Sequence, residues 1–151
     1  MTRFLILFSI ISTMLACNEQ IVEEVEKYHN DSIPAVINYY KFENEQKILF
    51  KQIKYYSNKQ IEVEGEFDEN GKRTGVWTYW TPKGNKWSEG GFENGLSQGN
   101  RTVWHKDGVK YYDGYYNEGK PDKKWIFFNE EGKKIKEVEY EKGVIISQKD
   151  F

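Results

Sequence analysis

The chain has 151 residues, a length typical of one modest domain, and its 17% aromatic and 30% charged residues suit a globular protein rather than a disordered one. Its 22 basic and 24 acidic residues give a formal net charge of −2, so nothing suggests a nucleic-acid partner. A single cysteine excludes an internal disulfide framework.

Residues 1–16 stand apart from the rest. "MTRFLILFSIISTMLA" has a basic start at Arg3 and an apolar run from Phe4 to Ala16, the pattern of a secretion signal. At about 1.5 Å per helical residue the run reaches only ~20 Å, short of the ~30 Å hydrocarbon core of a bilayer. A permanent transmembrane helix is therefore not expected. "MLAC" at 14–17 resembles a bacterial lipobox, in which a small residue precedes a cysteine that is acylated and becomes the new N-terminus. That resemblance implies lipidation at Cys17, attachment to the membrane through the lipid, and a bacterial cell-envelope location. More than one acyl chain would make the anchoring stable.

Residues 17–45 carry seven acidic and two basic residues. "NEQIVEEVEKYHNDS" reads as an acidic tether or short helix that holds the remainder off the membrane, the alternative being that it packs on a sheet edge. From residue 46 onward the balance evens out to 17 acidic and 19 basic residues.

The stretch 46–151 is dominated by a repeat, which governs its reading. Gly71, Gly84, Gly95, Gly108, Gly119, Gly132 and Gly143 are separated by alternating steps of 13 and 11, so glycine returns as a pair every 24 residues. Trp80, Trp104 and Phe128 keep step, as do Phe92, Tyr116 and Tyr140. The runs "VWTYW", "NRTVW" and "KWIFF" alternate with "KWSEGGF", "KYYDGYY" and "KIKEVEY", compositions that favour strands. "TPKG", "HKDG", "NEEG", "FENG" and "YNEG" predict type I turns closed by a left-handed glycine.

Each glycine thus ends a hairpin turn. The extra two residues of the longer beat are assigned to loops, "KRTG", "LSQG" and "KPDK", after Gly71, Gly95 and Gly119. Gly108 is expected at positive φ and costly to replace, whereas Gly91 inside a strand is expected to tolerate alanine. Residues 47–67 form a degenerate first unit and "GVIISQKDF" a closing strand. The predicted fold is all-β, an elongated antiparallel β-meander sheet built from 24-residue hairpin repeats that lean on one another for a core.

The pattern G(x)3GxWxxW…G…G(x)F over residues 61–147 resembles the bacterial MORN-repeat variant family. The last unit departs from it at Lys123 and Val138, where glycines stand in the other units. The resemblance implies a sheet used for protein or lipid contact and raises an antitoxin-like or immunity-like role by analogy alone.

Catalytic signatures are missing. His29 and His105 are the only histidines, no phosphate-cradling motif occurs, and Asp68/Glu69 and Glu130/Glu131 read as solvated turn carboxylates. Neither an enzyme, a metal site nor a cofactor is expected. The aromatics have two readings. Trp77, Tyr79, Trp80, Trp104, Tyr112, Tyr116, Trp125 and Phe128 can simply fill a packed face. Alternatively, because "WTYW" and "WIFF" place aromatics on both faces, one set containing Trp77, Tyr79, Trp125 and Phe127 stays exposed and binds a protein partner or a glycan. The expected function is a lipid-anchored, non-enzymatic repeat module for protein contact. Carbohydrate binding by aromatic rows and a structural spacer are the alternatives.

Overall fold

A computed structural model of the chain describes residues 21–30 and 32–151. Eleven strands form one antiparallel sheet in strict sequence order: β1 (Ile21–Asn30), β2 (Ile33–Glu43), β3 (Gln46–Tyr55), β4 (Ile61–Phe67), β5 (Arg73–Trp80), β6 (Lys86–Glu93), β7 (Leu96–Trp104), β8 (Lys110–Asn117), β9 (Lys120–Phe128), β10 (Lys134–Glu141) and β11 (Val144–Asp150). No helix lies among the described residues. The stretch read as a tether or helix is partly strand, since β1 and β2 join the sheet. Glu26 accepts a hydrogen bond from the Asn38 amide at 2.7 Å, and Gln52 donates to Asn38 at 2.9 Å, carrying the polar ladder into β3. Residues 1–20, including Cys17, lie outside the described residues.

All seven repeat glycines have positive φ, between 71° and 90°. Their turns are of two kinds, however, which corrects the single type expected. At one end of the strands, Gly84 and Gly132 donate N–H to Thr81 and Asn129 three residues back at 2.8 and 2.9 Å, and Gly108 does the same to His105. This is the type I turn with a left-handed closing residue. At the other end the connections are two residues long with both at positive φ: Asn94-Gly95, Glu118-Gly119 and Lys142-Gly143. Paired positive φ values define type I′, whose twist matches the strands it joins. Gly71 is the exception at that end, closing a longer turn capped by the Asp68 carboxylate.

The extra length of the longer beat lies inside the strands, not in loops. Glu64 pairs with Thr78 and Glu66 with Thr74, so a step of two on β4 faces a step of four on β5. The same two-residue excess recurs in β7, where Gly90 and Phe92 face Arg101 and Ser97, and in β9, where Asp113 and Tyr115 face Ile126 and Asp122. Each bulge contains a left-handed residue, Gly75, Gly99 or Lys123. Beside it, the next short turn reaches back across the intervening strand: Gly95, Gly119 and Gly143 donate to the carbonyls of Arg73, Ser97 and Pro121 at 2.9, 2.8 and 2.7 Å. Neighbouring repeats are thereby stapled through their backbones.

The core is a ladder along one face. Trp77 is 1% exposed and lies flat over Gly65, while Trp125 lies over Gly114. Both indole N–H groups donate to a backbone carbonyl at 3.1 Å, Trp77 to Glu66 and Trp125 to Tyr115. Phe67 and Phe92 stand edge-on to Trp77 at 5.3 and 6.1 Å, and Tyr116 and Tyr140 to Trp125 at 5.0 and 5.5 Å. Between the two tryptophans, the same repeat position holds Arg101. Its guanidinium lies over Gly90 and sits 5.3 Å from the rings of both Phe92 and Tyr116, so the ladder continues through a cation–π link.

The apolar side changes between β3 and β4. Pairing places Ile37 beside Ile53 and Ile53 beside Glu64, so the face that is apolar in the first strands becomes polar afterwards, running through Thr78, Glu89, Thr102 and Asp113. Val63, Tyr79, Tyr112 and Phe127 occupy the other face together with the tryptophan ladder.

Gly91 does not tolerate a side chain as the sequence suggested: a Cβ there would overlap the carbonyl oxygen of Gln98. Gly65 is as demanding, since a Cβ would overlap the Trp77 indole, whereas Gly108 has open space and only its φ of 90° to protect. Gly65→Ala is therefore expected to lose a large part of the ~3–5 kcal/mol at stake in burying a tryptophan, and Gly108→Ala only the ~1–2 kcal/mol of a left-handed alanine. Urea melts of the two variants check the order; equal midpoints would contradict it.

Candidate functional site: the aromatic end of the sheet

The predicted set Trp77, Tyr79, Trp125 and Phe127 does share one face, but it is not an exposed set. Trp77 and Trp125 are core. Tyr79 and Phe127 are half-buried, each one residue from the long-turn end of its strand. The physical reason is the glycine beneath each tryptophan, which lets a large ring lie down on the backbone and disappear from solvent without any second layer.

Between β5 and β10 the rings left in solvent are others. Trp87 is 52% and Tyr111 43% exposed. Each occupies a single-residue bulge: Ser88 pairs with Tyr79 and Lys86 with Trp80, leaving Trp87 over, and Tyr111 is left over in the same way between Tyr112 and Lys110. The third unit repeats this with Ile135, 39% exposed. The extra residue cannot follow the alternation of its strand. Trp87 stands edge-on against Tyr79 at 6.0 Å, and Tyr111 against Tyr112 at 5.7 Å and Phe127 at 6.2 Å. Since Tyr79, Tyr112 and Phe127 lie on one face, the exposed rings extend that aromatic face at its long-turn end. The sequence signal was there in Lys86-Trp87, Lys110-Tyr111 and Lys134-Ile135, each 24 residues from the next, but alternation alone assigns these positions no special exposure.

Beside Trp87 the turns at 105–109 and 129–133 enclose an open hollow of about 420 Å³, lined by Trp87, Trp104, His105, Lys106, Asp107 and Glu130. The strands position its aromatics and the hairpin turns its polar groups. His105 is held by its Nε2 at 3.2 Å from the Phe128 carbonyl and packs at 4.9 Å against Tyr111, bridging the hollow to the second exposed ring. The Lys86 ammonium stands 6.0 Å over Trp104 and pairs with Glu89. A larger hollow of about 480 Å³ at the short-turn end, between Glu93, Gln98 and Glu118, has no aromatic ring in its lining. Among the described residues no group of three His, Cys, Asp or Glu side chains converges to hold a metal ion, and no helix is long and apolar enough to cross a membrane.

Under the exposed rings, Tyr112 stacks on Trp125 at 5.0 Å. Burial, reinforced by Tyr116 and opposed by Arg101, pushes its phenol up to about 12. The unfolded value is about 10, so the neutral phenol favours the fold; this contribution is complete below pH ~10 and is lost as pH rises toward ~12. In a phenolate absorbance titration, Tyr112→Phe is expected to remove a late-titrating tyrosine and to flatten the alkaline decline in stability. A variant profile identical to the wild type would contradict the assignment.

The five tryptophans also separate by environment. Iodide is expected to quench chiefly Trp87, so that Trp87→Ala removes most of the quenchable emission at a stability cost under ~1 kcal/mol, far below that of a buried tryptophan. Undiminished quenching in this variant would place the accessible indole elsewhere.

No protein-family model matches the chain, and no curated protein matches it. Solved structures to which it is similar include the GtfA/B complex bound to UDP and GlcNAc, at 10% identity over 82% of this chain and a TM-score of 0.40, and TarM, at 13% identity over 78% of this chain and a TM-score of 0.32. The chain matches 24% and 19% of the length of those two chains.

Proposed function

We propose that the chain is a non-enzymatic carbohydrate-binding module of the bacterial cell envelope, attached to the membrane through an acylated Cys17. One observation carries the binding reading: a sheet that buries Trp77 and Trp125 without a second layer leaves Trp87 in solvent, beside Trp104, above a rim of His105, Lys106, Asp107 and Glu130. Sugars combine apolar C–H faces with hydroxyls that both donate and accept, and this hollow offers ring surface together with donors and acceptors. Sites with a few placed polar groups among aromatics suit such ligands. The membrane and lipid part rests on residues 1–17. The resemblance to the MORN-repeat variant family is compatible with a binding role and names no ligand.

A protein partner, including a toxin neutralised by an antitoxin-like or immunity-like factor, is the second reading. It is favoured by the mixed charge of Lys106, Asp107 and Glu130 beside the rings.

The test is a titration of the soluble chain with a panel of neutral and N-acetylated oligosaccharides, followed by tryptophan emission and calorimetry. Saturable binding that is lost in Trp87→Ala, with unchanged melting, is expected. Absence of binding to every sugar, together with capture of a protein that Trp87→Ala abolishes, would replace the glycan reading with the second.

A further inference from the structure

The spacing of the exposed rings constrains the shape of the ligand, an inference that rests on the carbohydrate reading above. Trp87 and Tyr111 occupy the same position of consecutive repeats, on β6 and β8, and both lean on one aromatic face. Neighbouring strands are ~4.8 Å apart, so β6 and β8, the strands that carry the two rings, lie about 9.5 Å apart across the sheet. Ile135 continues the series on β10 with one more apolar contact. A ligand running across the strands therefore meets an apolar platform once per repeat. Between the first two platforms, on β7 and its turn, it meets the polar groups of the hollow, among them His105 in contact with Tyr111.

We infer that the ligand is a linear β-1,4-linked glycan of pyranose units lying across the strands. In such a chain each sugar is turned over relative to the last, so the same face recurs at every second sugar, after a length close to the separation of the two strands that carry the platforms. Trp87 and Tyr111 then stack on sugars two apart, and the sugar between them faces the polar groups of the turn. An α-1,4-linked chain winds, and its sugar faces do not return in line at this spacing. The charge around the hollow agrees with a neutral ligand. Lys106 offsets one of the two carboxylates, Asp107 and Glu130, leaving donors and acceptors of both kinds and no strong field of one sign.

The experiment compares chain length and linkage. Soluble protein is titrated calorimetrically with chito-oligosaccharides and cello-oligosaccharides of one to six sugars, and with malto-oligosaccharides of the same lengths. A rise of about tenfold or more in affinity is expected between disaccharide and trisaccharide, where the second ring is first reached. Tyr111→Ala should abolish that rise while leaving the weak disaccharide binding at Trp87, and Trp87→Ala should weaken every length. Malto-oligosaccharides should bind at least about tenfold more weakly at three sugars and above. Equal binding of α- and β-linked chains, a smooth length dependence, or a rise that survives Tyr111→Ala would overturn the inference while leaving carbohydrate binding intact. Failure of all three series to bind overturns both. Unchanged melting of the two variants shows that the readout concerns the surface rather than the fold.

Discussion

A tryptophan laid over a glycine on the adjacent strand is the interaction on which the rest of this structure depends. A single sheet has no second layer against which to bury its side chains, and a meander of eleven strands would ordinarily expose both faces. Here Gly65 and Gly114 remove the Cβ atoms that would hold a ring away, so the indoles of Trp77 and Trp125 lie on the backbone itself. Their N–H groups are satisfied by Glu66 and Tyr115 carbonyls, as a buried indole requires. The rings on neighbouring strands then complete the cover edge-on, and the core is one ring deep.

That arrangement also explains the uneven beat of the repeat. The strands that carry a rung, β5, β7 and β9, hold two extra residues beside Trp77, Arg101 and Trp125, and the strands between them, β6 and β8, do not. The bulge bends the backbone and frees carbonyls at Arg73, Ser97 and Pro121, which the next short turns bind. Repeats are thus joined by ring contacts on one face and by backbone hydrogen bonds at one end, each linking a unit to its neighbour only. Arg101 shows how much the ladder tolerates. A guanidinium replaces the indole over Gly90, keeps a flat surface between two rings, and donates to Ser97 at 3.3 Å, while its Nε has no hydrogen-bond partner. An alternation of aromatic and cationic rungs leaves the face continuous.

Function follows from what this economy leaves over. Because the ladder consumes Trp77 and Trp125, the rings that β5 to β10 leave exposed are those that the strands cannot place, the single extra residues at Trp87 and Tyr111. They stand at the end where the turns are longer and carry His105, Asp107 and Glu130, so ring surface and polar groups meet there. The opposite face from β4 onward is a polar ladder closed on itself: Lys86, Lys110 and Lys134 pair with Glu89, Asp113 and Glu137, and Thr102 donates to Asp113 at 2.7 Å. Its charged groups are largely satisfied within the sheet, whereas the aromatic end keeps exposed ring surface.

The amino-acid sequence by itself determined the strands, the hairpins and their order, because glycine turns, aromatic and β-branched runs and a 24-residue period are local signals whose physics acts within a few residues. It also marked Gly108 and its companions as left-handed, a property of the chain next to them. Burial was decided elsewhere. Whether Trp77 or Trp87 faces solvent depends on register, and each bulge resets the register of every residue beyond it, so alternation read along the chain fails at the positions of greatest interest. The same holds for Gly91, whose intolerance comes from a carbonyl on β7, and for Arg101, which takes a tryptophan's place only because Gly90 lies opposite. The acidic stretch at 21–30 became a strand for a related reason: its charges argued for solvent, but β2 offered it a hydrogen-bonded edge, and pairing of that kind is a property of two segments at once.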